Sequence, residues 1–555
     1  MGQIYIIGSK ASSGEWAKSI GTLVSFPSVN VNDFVQIHDF VIRTFKDSNE
    51  DDKIIIDLDS TDPAVALTVA MCIRLSISDL KKSSLLPILL VSYLPILTFL
   101  SKGECSQIFM SQAGLAFCLP EDISANISIL QPLTIDQYCP CFLDRIQINP
   151  DATVGTHSMA NQWGADVLYR IISSDSLELT DEMLKEKKKL YYKYIFAKTE
   201  NINNVVNANA ETDCLINIKR LDTSNKNVLL IDDEASKGWE LVLKKWLEGY
   251  ANFDVCNYPI NTYEKIEESI RHRIETDFYD LIFLDLRLQG SLEDDVYNPK
   301  DFSGMKILQK IKDLNPGNQV IMLTASNKAW NMKALQEEEA DGFYFKESPE
   351  SKFPKSFSQA NFISLQDDVE KAFKCGYKRR IYRDIVSLQK SILSSGRIDG
   401  GLGNEIIKSI TSALRQALKS KTKKDQAYAF LSLFQVFELI CRDYITAWGK
   451  NKWIIDNSIP LHYYDTSGFR PIKQSVIVEE HPSIKRKLTA IYIEIGLNNN
   501  LRYLRDNVFI SVDRRNAFVH NDIVKLKKNS ISQIYEPNGF IHLLDTIKYY
   551  LQSLL

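Results

Sequence analysis

The sequence has neither a secretory signal nor an uninterrupted stretch that could span a membrane. Its start, MGQIYIIGSK, has no basic region before the apolar residues, and that apolar run is only as long as a strand. The longest uncharged stretch, residues 83–101, contains Pro87 and Pro95, which divide a helix into pieces too short to cross a bilayer. We therefore expect no membrane partner, and at this stretch a buried strand followed by a helix.

Clustered cysteines and an excess of positive charge are also missing. The nine cysteines are scattered, apart from a single C-x-C at Cys139 and Cys141, so no paired spacing for a metal cluster is present. An odd number of unclustered thiols is typical of the reducing cytoplasm, where we expect the protein to be. The formal net charge of −4 means that any contact with nucleic acid must come from a local patch. With 555 residues, 45% of them hydrophobic, the chain is long enough for three or four globular domains.

The middle of the chain contains a series of short apolar runs that each lead into a polar residue. NVLLI precedes Asp232 and Asp233, LIFL precedes Asp285, VIML precedes Thr324, and FYF precedes Lys346. Amphipathic stretches separate these runs. Strands that alternate with helices predict a doubly wound parallel sheet, in which polar side chains at the carboxyl ends of the strands meet at one edge.

Carboxylates, a hydroxyl and an ammonium group in one place are suited to phosphoryl transfer. Clustered carboxylates attract a hard cation such as Mg²⁺, and an aspartate can accept a phosphoryl group. A hydroxyl and an ammonium group can bind the phosphoryl oxygens. In these residues the stretch resembles the receiver domain of response regulators.

The resemblance implies a role for each of these residues, with a sensor histidine kinase as the phosphodonor. Asp285 would be phosphorylated, and Lys346 would sense the new charge. The other roles are those of the Mg²⁺ ligands Asp232, Asp233 and Asp285, the switch hydroxyl of Thr324, and the rotating aromatic ring of Phe343.

Two departures from the family pattern accompany the resemblance. The loop after Asp285, LQGSLEDDVYNPKDFS, is longer than the family usually has and carries Glu293, Asp294, Asp295 and Asp301. It could act as a lid, contact a partner or be surface decoration, since long surface loops cost little free energy. Lys346 is followed by Glu347 rather than by the usual proline, which affects the local backbone and leaves the charge in place.

Residues 1–125 repeat the same pattern in weaker form. QIYIIG, KIIIDLD, PILLVSY and GLAFCLP are candidate strands, so we expect a degenerate receiver-like domain. Asp57 or Asp59 stands where a phosphoacceptor would be, but Gly8 and Ser9 replace the acidic pair, and no lysine follows the last strand. A structural or partner-binding role is therefore favoured over phosphoryl transfer.

The other segments are expected to be mainly helical. We predict a connector of helices and irregular structure over residues 126–225, with one long charged helix over 177–199. A receiver domain over 226–350 and a linker helix within 351–400 follow. Residues 401–555 predict helices over 405–419, 424–448, 483–495 and 500–519 and little strand, which favours a four-helix bundle.

The last of these helices carries RRNAFVHND. Arg515, Asn516 and His520 resemble the R-N-x-x-x-H motif of the HEPN family, many of whose members are metal-independent ribonucleases. Histidine can move protons near neutral pH, and a guanidinium group binds phosphate oxygens. Arg515 and His520 lie about 140° apart on an ideal helix, so one helix does not aim both at one point. Two copies about a two-fold axis would do so, which predicts a homodimer.

The sequence as a whole predicts a multidomain protein with α/β and all-α parts, in which flavodoxin-like doubly wound domains are followed by a helical bundle that resembles HEPN domains. The favoured function is that of a response regulator whose phosphorylation controls RNA cleavage, in a stress response or in antiphage defence. The alternative is a non-catalytic signalling scaffold, whose helical domain dimerises or binds a partner. A transcriptional regulator is disfavoured, because no helix-turn-helix or basic recognition helix stands out.

Overall fold

The protein forms two compact units, each built from more than one segment of the chain. The structure, a computed structural model, describes residues 2–9, 14–17, 19–26, 30, 33–150, 155–172, 181–200, 202–207, 221–247, 249–256, 262–293, 296, 298–325, 339–348, 353–395, 400–448, 452–455, 459–460, 462–464, 471–476, 480–494 and 501–552. The first unit consists of Met1–Ile270, Phe283–Lys306 and Ile321–Val369. The second unit consists of Arg271–Ile282, Ile307–Val320 and Glu370–Leu555.

The first unit begins with a five-stranded parallel sheet. Its strands lie in the order β2-β1-β3-β4-β5, which is the flavodoxin-like order that the sequence pattern predicts. The strands are β1 (Ile4–Gly8), β2 (Thr22–Ser25), β3 (Lys53–Asp57), β4 (Ile88–Val91) and β5 (Leu115–Cys118), and the main helices are α1 (Phe34–Phe45), α2 (Pro63–Leu75) and α3 (Ile123–Ile129). Asp62 caps α2 by accepting a hydrogen bond from the Ala64 N–H, and Pro63 occupies the first helical position, where no N–H is needed.

The uncharged stretch at residues 83–101 belongs to this sheet. It contributes β4, buried at every position, but the helix predicted after the strand is reduced to a single turn at Ile96–Thr98. Among the described residues no single helix is long and apolar enough to cross a membrane. Pro63–Leu75 and Ile77–Leu85 reach that length only as a pair bent by 58°.

Four helices connect the two sheets of the first unit: α4 (Gly155–Ile172), α5 (Asp181–Lys187), α6 (Leu190–Thr199) and α7 (Ile202–Asn207). The single helix predicted over residues 177–199 is wrong, because α5 and α6 are separate and Lys189 between them is extended. The break turns Tyr194 and Ala197 into the core of the N-terminal sheet. Burial of these two side chains stabilises the fold more than continuation of the helix, which the local sequence favours, would do.

The second sheet has the same topology as the first. Its strands are β6 (Asn227–Ile231), β7 (Asn252–Cys256), β8 (Leu281–Asp285), β9 (Val320–Thr324) and β10 (Gly342–Phe345), in the order β10-β9-β8-β6-β7. The helices are α8 (Trp239–Trp246), α9 (Tyr263–Thr276) and α10 (Ser303–Leu314). Every residue of β8 and β9 is buried, as expected for parallel strands that helices cover on both faces.

The second unit is mainly helical. The predicted linker helix is instead two helices, α11 (Lys355–Cys375), most of which counts with the first unit, and α12 (Tyr377–Ser395). The longer helices that follow are α13 (Gly400–Lys419), α14 (Lys423–Tyr444), α15 (Ile484–Glu494), α16 (Ile510–Val519) and α17 (Pro537–Gln552). Thr422 and Asp425 form a capping box at the start of α14, whose buried face includes Phe430, Phe434, Phe437 and Cys441 at helical spacing.

Short strands interrupt this helical unit, where the sequence predicts little strand. The helix predicted to Trp448 ends at Tyr444, and an antiparallel sheet of β11 (Ile445–Ala447), β12 (Trp453–Ile455) and β13 (Ile459–Pro460) follows. A second pair consists of β14 (His462–Tyr464) and β15 (Pro471–Val476). Ile445 and Ile455 are buried opposite each other. The isoleucine pair and the β-branched Thr446 therefore favour strand over one more helical turn.

Helix α12 packs closely against the two segments of the second unit that precede it in sequence. The Arg379 guanidinium donates to the carbonyl oxygen of Asp277 at 2.8 Å and lies 4.3 Å from the ring centre of Phe278. A Cβ atom on Gly317 would lie 2.4 Å from the Arg379 nitrogen, so only glycine permits this approach. Residues 271–282 and 307–320 therefore share their packing with the helical unit.

Candidate functional site

Three carboxylates meet at the carboxyl-end edge of the second sheet. Asp232 and Asp233 directly follow β6, and Asp285 is the last residue of β8, the neighbouring strand. One carboxylate oxygen from each residue lies within 4.8 Å of the others. The sheet topology thus brings together the three residues that the sequence predicts to share a site.

Lys346 supplies the positive charge among these carboxylates. Its Nζ lies 2.8 Å from Asp232 Oδ2 and 2.8 Å from Asp285 Oδ1, and all three side chains are buried. Burial alone would lower the pKa of Lys346, but the charges of Asp232 and Asp285 raise it above its usual value. The lysine is therefore charged and is held between two strands.

Asp233 is the carboxylate that this lysine leaves uncompensated. Its Oδ1 is buried and has no hydrogen-bond partner among the described residues. Burial and the charges of Asp285 and Asp232 raise the pKa of Asp233 to about 8. Three carboxylates and one ammonium group form an oxygen-rich site with excess negative charge. Carboxylate oxygens are the ligands that Mg²⁺ prefers. The residues present therefore fit a divalent cation.

Thr324 and Phe343 lie beside this cluster. Thr324 ends β9 and is fully buried, and its carbonyl oxygen accepts a hydrogen bond from the Lys346 N–H at 2.7 Å. Phe343 is half-buried on β10, three residues before Lys346. The next residue, Tyr344, is fully buried edge-on against Trp239, whose ring lies 5.0 Å from Lys346 Nζ.

Comparison with known proteins bears on the fold of this sheet. No protein-family model and no curated protein matches the chain. A solved structure of a CheY-like response regulator receiver domain protein from Methanospirillum hungatei JF-1 matches with 21% identity over 26% of this chain and 99% of that chain, at a TM-score of 0.17. A Burkholderia pseudomallei response regulator with a phosphorylated aspartic acid, calcium ion and citrate matches with 18% identity over 31% and 91%, at a TM-score of 0.18. The Salmonella typhimurium RcsB response regulator matches with 14% identity over 38% and 92%, at a TM-score of 0.18.

TM-scores this low do not identify a fold. The fold is therefore identified from the order of the strands. Strands β6 to β10 follow the order 2-1-3-4-5 of the flavodoxin-like folds, with polar residues at the switch point. The second sheet therefore has a flavodoxin-like fold. We call residues 227–345 the receiver sheet, after the resemblance of the sequence motifs in this stretch.

Glu293 joins the insertion after Asp285 to the start of helix α10. The Glu293 carboxylate is buried and accepts hydrogen bonds from the N–H of Ser303 at 2.6 Å and from its hydroxyl at 2.8 Å, which caps helix α10. A Cβ atom on Gly290, whose φ is +53°, would lie 3.6 Å from Asp233 Oδ2. The first part of the insertion thus packs beside the carboxylate cluster, whereas Asp294 and Asp295 lie outside the described residues.

Two further residues of the site, Asn161 and Glu234, are not indicated by the sequence motifs. The Lys346 ammonium donates to Asn161 Oδ1 at 2.9 Å, and Asn161 Nδ2 donates to Glu234 Oε2 at 2.8 Å. Asn161 comes from α4, outside the receiver sheet. Asn161, Gly164, Ala165 and Leu168 lie on one face of the helix, and this spacing of small and apolar residues was the signal that could have indicated a buried face.

The N-terminal sheet has an altered version of the same edge. Asp57 ends β3 and accepts a hydrogen bond from the Ser60 hydroxyl at 2.6 Å, and Asp59 accepts hydrogen bonds from the Ser92 hydroxyl at 2.7 Å and the Tyr93 N–H at 2.8 Å. Both carboxylates are thus engaged by neutral donors. Among the described residues, the group of carboxylates spaced for a metal ion is the one in the receiver sheet.

The C-terminal motif is only partly brought together. The Arg515 guanidinium donates to Asn516 Oδ1 at 3.1 Å and to Glu438 Oε1 on α14 at 2.8 Å. His520 is exposed at the C-cap of α16, and its imidazole makes no hydrogen bond within the described part of the chain. Within one chain, Arg515 and Asn516 therefore form a pair, and His520 stands apart from it.

Arg514, the residue before Arg515 in the motif, is buried in the helical unit. Its guanidinium is buried and donates to the carbonyl oxygen of Ser530 at 2.7 Å and to Gln533 Oε1. It also lies 3.2 Å from His542 Nδ1. Arg514 therefore holds α16 to the segment before α17 and is not available to a ligand.

Proposed function

We propose that this protein is a phosphorylation-controlled signalling protein in which Asp285 accepts the phosphoryl group. The observation that carries this proposal is the cluster of Asp232, Asp233 and Asp285 around the Lys346 ammonium group at the ends of parallel strands. A sensor histidine kinase is the proposed phosphodonor, and Mg²⁺ is the proposed cation.

The residues around Asp285 are suited to this transfer. An oxygen of Asp285 attacks the phosphorus atom of the donor, and the bond from phosphorus to the donor atom breaks with its electron pair leaving on the donor. Mg²⁺ bound by the three carboxylates would neutralise charge on the phosphoryl oxygens. Lys346 then moves its hydrogen bonds from the carboxylates to a phosphoryl oxygen, and the Thr324 hydroxyl donates to another.

The phosphoryl acceptor can be identified with acetyl phosphate and Mg²⁺. We expect the wild-type protein to gain one phosphoryl group by intact-mass measurement, and the Asp285→Asn variant to gain none, because an amide is a far weaker nucleophile. Asp57→Asn is the matched control, since Asp57 ends the corresponding strand of the N-terminal sheet. Phosphorylation of the Asp285→Asn variant, or loss of phosphorylation in the Asp57→Asn variant, would contradict the assignment.

We further propose that the helical part of the second unit is a HEPN-type output domain that cleaves RNA as a homodimer. In the reaction, the ribose 2′-hydroxyl attacks the adjacent phosphorus and the 5′-oxygen leaves, with His520 moving a proton and Arg515 binding the non-bridging oxygens. The exposed imidazole of His520 and the adjacent Arg515–Asn516 pair support this proposal. The site would use no metal, and cleavage of cellular RNA would suit a stress or antiphage response.

The ribonuclease proposal is tested by His520→Ala and Arg515→Ala variants. We expect each variant to lose about 10²–10⁴-fold in the rate of RNA cleavage, the usual contribution of a positioned proton-transfer group. His481→Ala is the matched control, because His481 is an exposed histidine of the same unit, outside the motif. Equal loss in the His481→Ala variant would contradict the proposal.

One observation favours a second candidate function, a non-catalytic scaffold. The Arg515 guanidinium is paired with the Glu438 carboxylate at 2.8 Å, so it must leave this partner before it can bind a phosphate. In a scaffold the pair would simply hold α16 to α14. An absence of cleavage by both the free and the phosphorylated wild-type protein, together with unchanged dimerisation in the Arg515→Ala variant, would favour the scaffold.

A further inference from the structure

The Asp285 side of the carboxylate cluster is buried, and only Asp233 of the three carboxylates is partly exposed, although the cluster lies at an edge where ligands normally enter. Asp232 and Thr324 are 0% exposed, Lys346 is 1% exposed and Asp285 is 3% exposed. In open α/β sheets the crevice beyond the strand ends is accessible, because ligands bind there. The Asp285 carboxylate, 3% exposed, offers too little surface for in-line attack on a phosphodonor in this conformation. Something that covers the edge must therefore move before Asp285 can react.

Helix α4 is the cover that makes hydrogen bonds to the site. Asn161 stands between two of the site's charged groups, accepting from Lys346 Nζ at 2.9 Å and donating to Glu234 Oε2 at 2.8 Å. One turn later, a Cβ atom on Gly164 would lie 3.0 Å from the carbonyl oxygen of Glu347 and 3.1 Å from Trp239 Cζ2. The helix thus lies directly on the residues that flank Lys346.

The other side of α4 is attached to the connector. Asp166 forms ion pairs with Arg170 of the same helix and with Lys187 of α5. The ring of Trp163 packs against Tyr192 of α6, with ring centres 5.5 Å apart. A movement of α4 away from the receiver sheet would therefore be passed to α5 and α6.

The closed arrangement leaves polar groups without partners. Both amide atoms of Gln162, next to Asn161, are buried and make no hydrogen bond within the described residues, and the same holds for Trp239 Nε1. A buried polar group without a partner costs free energy that contact with water would recover. The closed contact is therefore packed tightly at Gly164 but is incompletely satisfied around Asn161, which favours a contact that can open.

We propose that α4 is a lid on the phosphoacceptor site, and that Asn161 is its latch. This inference rests on the proposed phosphorylation of Asp285 and concerns its control. A phosphoryl group on Asp285 requires the Lys346 ammonium, one of whose donors the Asn161 carboxamide occupies in the closed state. Phosphorylation and closure therefore compete for the same lysine, and each disfavours the other by the same factor. The phosphorylated protein holds α4 open, and the connector carries the change onward.

Two substitutions open the lid by independent routes. Asn161→Ala removes the hydrogen bonds to Lys346 and Glu234, and Gly164→Leu places a side chain where the helix meets Glu347 and Trp239. We expect both variants to be phosphorylated by acetyl phosphate about tenfold faster than wild type, the factor that corresponds to one hydrogen bond to a charged group. Asn126→Ala is the matched control, since Asn126 is a half-buried helical asparagine whose amide donates to the Asp122 carbonyl at 3.0 Å. We expect its rate to be unchanged.

Amide hydrogen exchange separates failure of the lid from failure of the proposed function. We expect the amides of residues 159–172 to exchange about tenfold faster in the Asn161→Ala variant than in wild type, whether or not Asp285 accepts a phosphoryl group. If no variant is phosphorylated, the proposed function fails, and exchange alone decides the lid. Phosphorylation of Asn161→Ala and Gly164→Leu at the wild-type rate, or unchanged exchange in α4 of the Asn161→Ala variant, overturns the lid.

Discussion

Replacing Lys346 with methionine should lower the free energy of unfolding of the first unit by about 3–5 kcal/mol in metal-free buffer, the usual cost of removing one partner from a buried ion pair. The Lys346 ammonium is the cation between Asp232 and Asp285, at 2.8 Å from each carboxylate. Methionine fills similar space but carries no charge. The variant therefore keeps three clustered carboxylates with nothing to neutralise them.

The control for this prediction is Lys244→Met on α8. Lys244 pairs with Glu240 at 2.6 Å, but both side chains are about a third exposed, so its loss should cost about 0.5 kcal/mol or less. Urea unfolding followed by circular dichroism measures both variants. Mg²⁺ should restore part of the loss in the Lys346→Met variant, because a cation that binds only the folded protein stabilises it. A loss below about 1 kcal/mol would contradict the buried ion pairs.

Two adjacent arginines should differ sharply in their contribution to stability. Arg514→Ala should lower the free energy of unfolding of the second unit by about 3 kcal/mol, because it removes a buried side chain that donates charged hydrogen bonds to the Ser530 carbonyl and the Gln533 side chain. It also removes the partner of His542. Burial and the Arg514 charge lower the pKa of His542, so the neutral ring accepts at Nδ1 and donates from Nε2 to Asn507 Oδ1 at 2.9 Å.

Arg515→Ala should lower the free energy of unfolding by less than about 1 kcal/mol, since both members of the ion pair are partly exposed, Arg515 at 29% and Glu438 at 41%. Guanidinium chloride unfolding of both variants tests the contrast. The pair of measurements also matters for function, because loss of RNA cleavage in the Arg515→Ala variant can be assigned to chemistry only if the variant is folded. Equal destabilisation by the two substitutions would show that burial of Arg514 is not what distinguishes them.

The sequence predicts the parts of the site that depend on strand ends. Asp232, Asp285 and Lys346 each follow an apolar run, and a parallel sheet brings such positions to one edge whatever the loops do. Asn161 could not be predicted in this way, because it reaches Lys346 from a helix 185 residues earlier in the chain. Its position depends on what α4 packs against, and the periodicity of the local sequence does not determine that.

The same limit explains the errors in the helical parts. Nothing in the spacing of Arg514 and Arg515 says which one faces the protein interior, since the two residues differ by 100° on the helix and both are arginine. Helices α5 and α6 were predicted as one because the lysine-rich segment has high helix propensity throughout. The break serves the burial of Tyr194 and Ala197 in the N-terminal core, which is a tertiary effect.

The division of the chain into units has a consequence for how its parts can be exchanged. Two stretches within the sequence of the receiver sheet, Arg271–Ile282 and Ile307–Val320, count with the helical unit, where Gly317 and Asp277 meet Arg379. A single cut between sheet and helices therefore yields neither unit intact. A chimera that keeps the receiver sheet but replaces the C-terminal helices would keep the surface around Asp277 and Gly317 but lose Arg379, which contacts it. The sheet and the C-terminal helices are therefore not interchangeable modules, and a replacement for the helices would have to evolve together with those two stretches.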